Sequence, residues 1–104
     1  MIVTTGNEVA GRSIAKYLGV VRGIVVRSPT ISQGILGGIN QIFGGNIEAY
    51  AQVCEAARQE AYERMVSHAA EMGADAILGM RYDATEFSQG ATEVLAYGTA
   101  IRMA

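Results

Sequence analysis

One thiol and one imidazole, Cys54 and His68, are the side chains of this sequence best suited to soft metal ions or to a nucleophilic relay. Both fall in residues 47–72, whose apolar spacing predicts one long helix. Fourteen positions apart, at about 1.5 Å per residue, their backbones stand roughly 21 Å from each other. Ligands of one ion must each come within about 2.0–2.3 Å of it. A single chain therefore cannot chelate through this pair, and only symmetry-related copies could gather several thiols or imidazoles. Cys54 lies on the apolar stripe of the helix, where an inert buried thiol is expected. His68 sits beside that stripe and is expected to be a half-exposed structural residue.

Other constellations are equally sparse. No Cys-x-x-Cys, His-Glu-x-x-His or Glu-x-x-His spacing occurs, and no carboxylates are spaced as in a calcium-binding loop. A hydroxyl relay would need a serine aimed at a histidine oriented by a carboxylate. Ser67 adjoins His68, but neighbouring helical residues point in different directions. Glu60 and Glu63 could pair as acid and base, yet they fall beside Arg64 on the polar side of the helix and read as a solvated charged face. Neither Gly34-x-x-Gly37-Gly38 nor Gly44-Gly45 is followed by the Lys-Ser/Thr of a phosphate loop. The residues thus assign no catalytic, cofactor-binding or metal-ligating position, and a non-enzymatic protein is expected. Arg22, Arg27, Arg81 and Arg102 all fall on predicted strands. In a ring they could form a collar for a small anion, although intersubunit ion pairs with Asp83 or Glu93 account for them more simply.

The elements that carry these residues follow from local pattern. Ile14–Arg27 is rich in Val, Ile and Tyr and reads as a long strand. Neither of its alternating sets is cleanly polar, so both faces are expected to be at least partly covered. Gly19 and Gly23 suggest close approach of another backbone. Pro29 breaks the strand. From Ser28 to Ile47 the chain then runs twenty residues without a charge. Ile31, Ile35, Leu36, Ile39, Ile42 and Phe43 recur there at helical steps among five glycines, each costing about 1 kcal/mol relative to alanine in a helix. Packing must hold residues 31–43 helical, and another copy of the chain is the expected support.

Gly44 and Gly45 end that segment, and Asn46 can cap the long helix, with Glu48 in its first turn and Gly73 as its stop. Ile47, Tyr50, Cys54, Ala57, Ala61, Met65, Ala69 and Met72 form its stripe. Two further strands, at about residues 76–85 and 91–103, flank a turn holding Ser88, Gln89 and Gly90 and suit an antiparallel hairpin. With a short apolar start at residues 1–5, the order is strand, strand, helix, helix, strand, strand. That order predicts an α+β domain over residues 1–104, its helices on one face of a mainly antiparallel sheet.

Composition bounds the rest. Half of the 104 residues are apolar and 17% are charged, against roughly 25% in average globular chains. A domain of this size leaves apolar surface uncovered, and a subunit interface is the default use of it. A net charge of −2 offers no footprint for nucleic acid. The first residues lack a basic region followed by an apolar run, so no signal peptide and a cytoplasmic location are expected. Ser32, Gln33, Asn40, Gln41, Asn46 and the glycines make the uncharged stretch too polar for a membrane span. The lone Cys54 excludes an intrachain disulfide.

Four local patterns, in order, resemble the YbjQ-like family of small bacterial proteins, a family of uncharacterised function with a heavy-metal-binding label. They are Tyr17-Leu18-Gly19-Val20-Val21-Arg22-Gly23, then Gly44-Gly45 followed by Tyr50, then Gly73-Ala74-Asp75-Ala76-Ile77-Leu78-Gly79, and the closing Gly98-Thr99-Ala100-Ile101-Arg102. The resemblance spans nearly the whole chain. It implies a dodecin-like α+β subunit, with one long helix and one short Gly-rich helix, assembled as a homopentameric ring. The metal label finds no matching ligand set within one chain. An intersubunit metal site, built from repeated Cys54 or His68, is therefore the alternative to a binding or scaffold module.

Overall fold

The computed structural model describes residues 1–27, 47–88 and 90–104. The expected Gly-rich helix at residues 31–43, the break at Pro29, the Gly44-Gly45 stop, the Asn46 cap and Gln89 of the turn lie outside these. Among the described residues there are four strands and one helix: β1 (Ile2–Val3), β2 (Ile14–Arg27), α1 (Ile47–Glu71), β3 (Ala76–Ser88) and β4 (Ala91–Met103). The sheet order is β1-β3-β4-β2. β4 pairs antiparallel with both β2 and β3, whereas β1 runs parallel to β3. The expected α+β architecture is present, with a sheet that is mixed at its short edge.

Small side chains let helix and sheet approach closely. On one face of the sheet lie Val21, Gly23 and Val25 of β2 and Val94, Ala96, Gly98 and Ala100 of β4. Against them α1 sets Ala57, Ala61, Met65 and Ala69, all buried. Met65 is the one long side chain in that row and fills the space the alanines leave. A methyl group built on Gly23 would collide with the carbonyl of Ala61 and the amide of Met65. The contact at this point is therefore strand backbone on helix backbone.

The helix ends as the sequence predicts. Gly73 has φ +78°, its N–H donates to the Ala70 carbonyl at 3.0 Å, and the Ala74 N–H reaches back to the Ala69 carbonyl at 3.0 Å. These two bonds cap carbonyls of the last helical turn. Asp75 then fastens the turn to the sheet. Its N–H donates to the Ile101 carbonyl at 2.8 Å, and its carboxylate accepts the Met103 N–H at 2.9 Å.

A second, smaller cluster occupies the other face of the sheet. Ala76, Leu78 and Ile101 are buried there under Val9, Ile14 and Met103. The N-terminal segment is pinned over this end by bonds from the Gly79 N–H to the Gly6 carbonyl and from the Met80 N–H to the Thr4 carbonyl. Gly79, at φ +61°, lies where the β3–β4 register shifts, between Leu78 and Arg81. Its left-handed backbone makes that bulge possible.

Candidate functional site

Beyond the N-terminal cover, the second face of the sheet is open among the described residues. Alternation along β2 puts Val20, Arg22, Ile24 and Val26 on it, opposite Thr99, Tyr97, Leu95 and Glu93 of β4. Arg81, Asp83 and Thr85 of β3 continue the rows through Tyr97, Leu95 and Glu93. Val20 and Tyr17 are each 66% exposed, Ile24 and Val26 37%, and Tyr97 36%. The expectation that both faces of β2 are covered is thus not met among the described residues: α1 covers Val21, Gly23 and Val25, and the even-numbered apolar set from Val20 to Val26 faces outward. A shallow cavity of about 230 Å³, lined by Asn7, Tyr17, Leu78, Gly79 and Thr99, opens on this same face.

Arg22 and Arg81 flank Tyr97 across three strands. The Arg22 guanidinium has no hydrogen-bond partner among the described residues, while Arg81 donates to the Thr5 carbonyl at 3.0 Å and to the Met80 carbonyl at 2.8 Å. Arg27 and Arg102 turn elsewhere. Arg27 pairs with Glu60 at 2.5 Å, and Arg102 donates to the Gly73 carbonyl at 3.1 Å. The four arginines of the expected collar therefore do not share one surface.

The polar side of α1 forms a groove of about 430 Å³ lined by Glu60, Glu63, Arg64, Ser67, His68 and Glu71. Glu60 is not the free solvated carboxylate expected from the sequence. It bridges Arg27 and Arg64, the latter at 2.8 Å, and the hydrogen bond from Arg27 holds its pKa below the ordinary glutamate value against the opposing effect of burial. Glu63 accepts from Gln59 at 3.1 Å. Arg58 lies over the Tyr82 ring, 5.5 Å from its centroid. Burial, with Tyr62 adding to it, raises the Tyr82 phenol above its usual value, and Arg58 pulls the other way.

His68 has a structural role. Its Nδ1 accepts the Arg22 N–H at 3.2 Å, and nearby Arg64 donates to the Ile24 carbonyl at 2.7 Å. Two backbone groups on the free edge of β2 are thereby satisfied by side chains of the helix. This edge capping is a task that sequence reasoning missed, because nothing in the local spacing of residues 64–68 points to a strand some forty residues earlier.

Cys54 departs from expectation, for it is exposed rather than buried. Its stripe position is correct, but Ala51, Gln52, Cys54, Glu55 and Ala56 are exposed and Val53 is only half-buried, whereas Ala57 is buried. Helical periodicity sets the direction in which a side chain points and leaves open whether anything lies there. Cys54 and His68 remain apart on one helix, and no three His, Cys, Asp or Glu side chains converge among the described residues. One chain's donors do not fit a soft-metal centre.

Among the described residues, one helix laid by small residues on a mixed four-stranded sheet defines the class: a small α+β protein. The chain belongs to the YbjQ_1 family, whose model is described as "Putative heavy-metal-binding" and matches residues 1–104. It is similar to a UPF0145 protein of Legionella pneumophila strain Corby, 57% identical over 101 residues that cover 97% of this chain and 96% of the relative. It is also similar to a UPF0145 protein of Chromobacterium violaceum, 52% identical over 102 residues covering 98% and 87%. A crystal structure of a protein of unknown function from Pediococcus pentosaceus, assigned to the DUF74 family, superposes with TM-score 0.64 at 19% identity, covering 100% of this chain and 98% of that one. That likeness shows the fold.

Proposed function

We propose that the protein is a non-enzymatic, homo-oligomeric binding or scaffold module whose copies meet on the open face of the sheet. The observation that carries this reading is the run of exposed apolar side chains at Tyr17, Val20, Ile24, Val26 and Tyr97. An apolar patch of this kind on a small protein marks an interaction surface. The sequence of the same chain holds a further uncharged, apolar-rich run at residues 28–47. A homopentameric ring is the form that the family resemblance supports, and a cytoplasmic location is proposed with it. None of the described helices is long and apolar enough to cross a membrane. Light scattering at micromolar concentration tests the reading: a multiple of the 11.0 kDa subunit mass is expected, and a monomer overturns it.

The exposure of Cys54 favours one second reading, an intersubunit metal site to which several copies each contribute a thiol. Titration of Zn(II), Cu(I) and Hg(II) into the wild type and into Cys54→Ala with His68→Ala decides it. Equal affinities, or no binding, remove both residues as ligands.

A further inference from the structure

Two irregularities of the sheet lie on either side of one stretch of β4. The β2–β4 register shifts between Tyr17 and Gly19, and the β3–β4 register shifts between Leu78 and Arg81. Both face β4 between Tyr97 and Ile101. At each shift stands a glycine with positive φ, Gly19 at +120° and Gly79 at +61°. Neither is kept for want of room. A methyl group on Gly19 would meet only the Met72 Cε, at 4.0 Å, and one on Gly79 only the Asn7 Oδ1, at 3.9 Å. Bulges re-aim side chains and are over-represented beside active sites.

Between these two bulges lies the cavity of about 230 Å³ lined by Asn7, Tyr17, Leu78, Gly79 and Thr99. Backbone fixes its N-terminal wall. The bonds from the Gly79 N–H to the Gly6 carbonyl at 2.8 Å and from the Met80 N–H to the Thr4 carbonyl at 3.0 Å hold the chain just before Asn7. Tyr17, Leu78, Gly79 and Thr99 belong to three of the patterns that carry the family resemblance. The sheet brings those three patterns together at this point, although the chain separates them widely. The helix stop at Gly73 and the close packing at Gly23 and Gly98 do not call for a tyrosine that is 66% exposed in one wall with a threonine hydroxyl. The described part of β2 ends at Arg27, about 33 Å from Tyr17 at about 3.3 Å per residue. The cavity is thus at the end of the sheet remote from where residues 28–46 depart.

We propose that this cavity binds a small, neutral, planar molecule with an amide or lactam edge. It gives a ligand to the binding module proposed above and does not depend on how copies meet. No lining residue is charged, and a charged occupant would give up hydration without a counter-charge. Arg81, next along β3, is already committed, for its guanidinium donates to the Thr5 and Met80 carbonyls. The Tyr17 ring supplies a face for stacking. The Asn7 carboxamide holds a donor and an acceptor side by side, which is the pairing that an amide or lactam edge matches. The Thr99 hydroxyl can give or take one more hydrogen bond. Gly79 adds no side chain to the lining, and the volume limits the occupant to a single ring with small substituents.

Tyr17 also belongs to the apolar run on which copies are proposed to meet, so binding and assembly are read on the same samples. Uracil, a neutral planar ring with lactam edges, is titrated into the isotope-labelled full chain and followed by amide resonances. The Asn7, Gly79 and Thr99 amides are expected to move saturably, with a Kd of about 1 mM or tighter. Benzoate, planar and of similar size but charged, is expected to leave them in place. Tyr17→Ala should weaken uracil binding about tenfold and Thr99→Val about fivefold. Asn7→Leu changes an exposed residue and provides a variant that keeps the fold, with a loss of about fivefold expected. Shifts that never saturate, an equal response to benzoate, or binding that survives Tyr17→Ala and Asn7→Leu unchanged overturns the site. By light scattering, an oligomer that does not bind uracil overturns the site and leaves the assembly standing. A monomer that binds it does the reverse.

Discussion

Gly23 and Glu60 show how single residues attach the helix to the sheet. The Gly23→Ala methyl would press on the backbone of Ala61 and Met65, which cannot move without shifting α1. Overpacking of this kind costs about 1–3 kcal/mol. The upper end of that range is expected, read as a lower midpoint of thermal or urea unfolding. A close approach at Gly23 was legible from a glycine inside a strand, and both Gly23 and Gly98 are crowded. Gly19 and Gly79 resemble them in sequence but serve a different need, with φ of +120° and +61°. Composition cannot separate a glycine kept for space from one kept for backbone angle. Glu60 gives a pH signature. With its folded pKa depressed by Arg27 and Arg64, its contribution to stability is present above the unfolded value of about 4.3 and is lost as the pH falls through the lower folded value. Wild type is therefore expected to lose a few degrees more of melting temperature than Glu60→Gln between neutral pH and about pH 3. Parallel losses in the two proteins would remove the bridge from the account. The effect is small because the pair is substantially exposed.

At the scale of elements, boundaries were legible wherever chemistry punctuates the chain. The start and end of β2, the span of α1 and the β3–β4 hairpin were all indicated by Pro, Gly and periodicity. The Gly73 stop was legible to the residue, and it supports a test. In Gly73→Ala the new side chain would hold φ +78° at a strain and meet the Arg102 guanidinium, 2.7 Å from the added carbon. A loss of about 1 kcal/mol, or somewhat more, is expected in chemical unfolding. Unchanged stability would mean that the turn relaxes. The short β1 was anticipated as the apolar start at residues 1–5, but its parallel pairing with β3 was not legible, since two residues carry no periodicity and their register depends on a strand more than seventy positions away. The depth of the helix stripe was misjudged for a related reason. Ala57, Ala61, Met65 and Ala69 are buried and Cys54 is exposed, although all five share one stripe. His68 and Arg64 looked like helix-surface residues and instead cap the edge of β2.

For the whole molecule, the decisive question is what shelters the even-numbered face of β2. The sequence already hinted at the problem, because neither alternating set of β2 is cleanly polar, and the described residues cover only the set of Val21, Gly23 and Val25. Val20 and Ile24 stand on the uncovered face, make no part of the buried core clusters, and can carry charge without disturbing Val21 or Val25. Val20→Glu with Ile24→Glu is therefore expected to keep the circular dichroism of the wild type while lowering the solution mass toward that of one subunit. Two carboxylates buried in an interface would each have to be desolvated, so the dissociation constant should rise by at least an order of magnitude. Ile39→Glu and Phe43→Glu probe the uncharged residues 28–47 in the same assay. If the face variant retains the full oligomer mass and only the latter pair dissociates it, copies meet through that segment and the open face serves another ligand. If both dissociate it, the two apolar surfaces belong to one interface, and the surplus of apolar residues has a single cause.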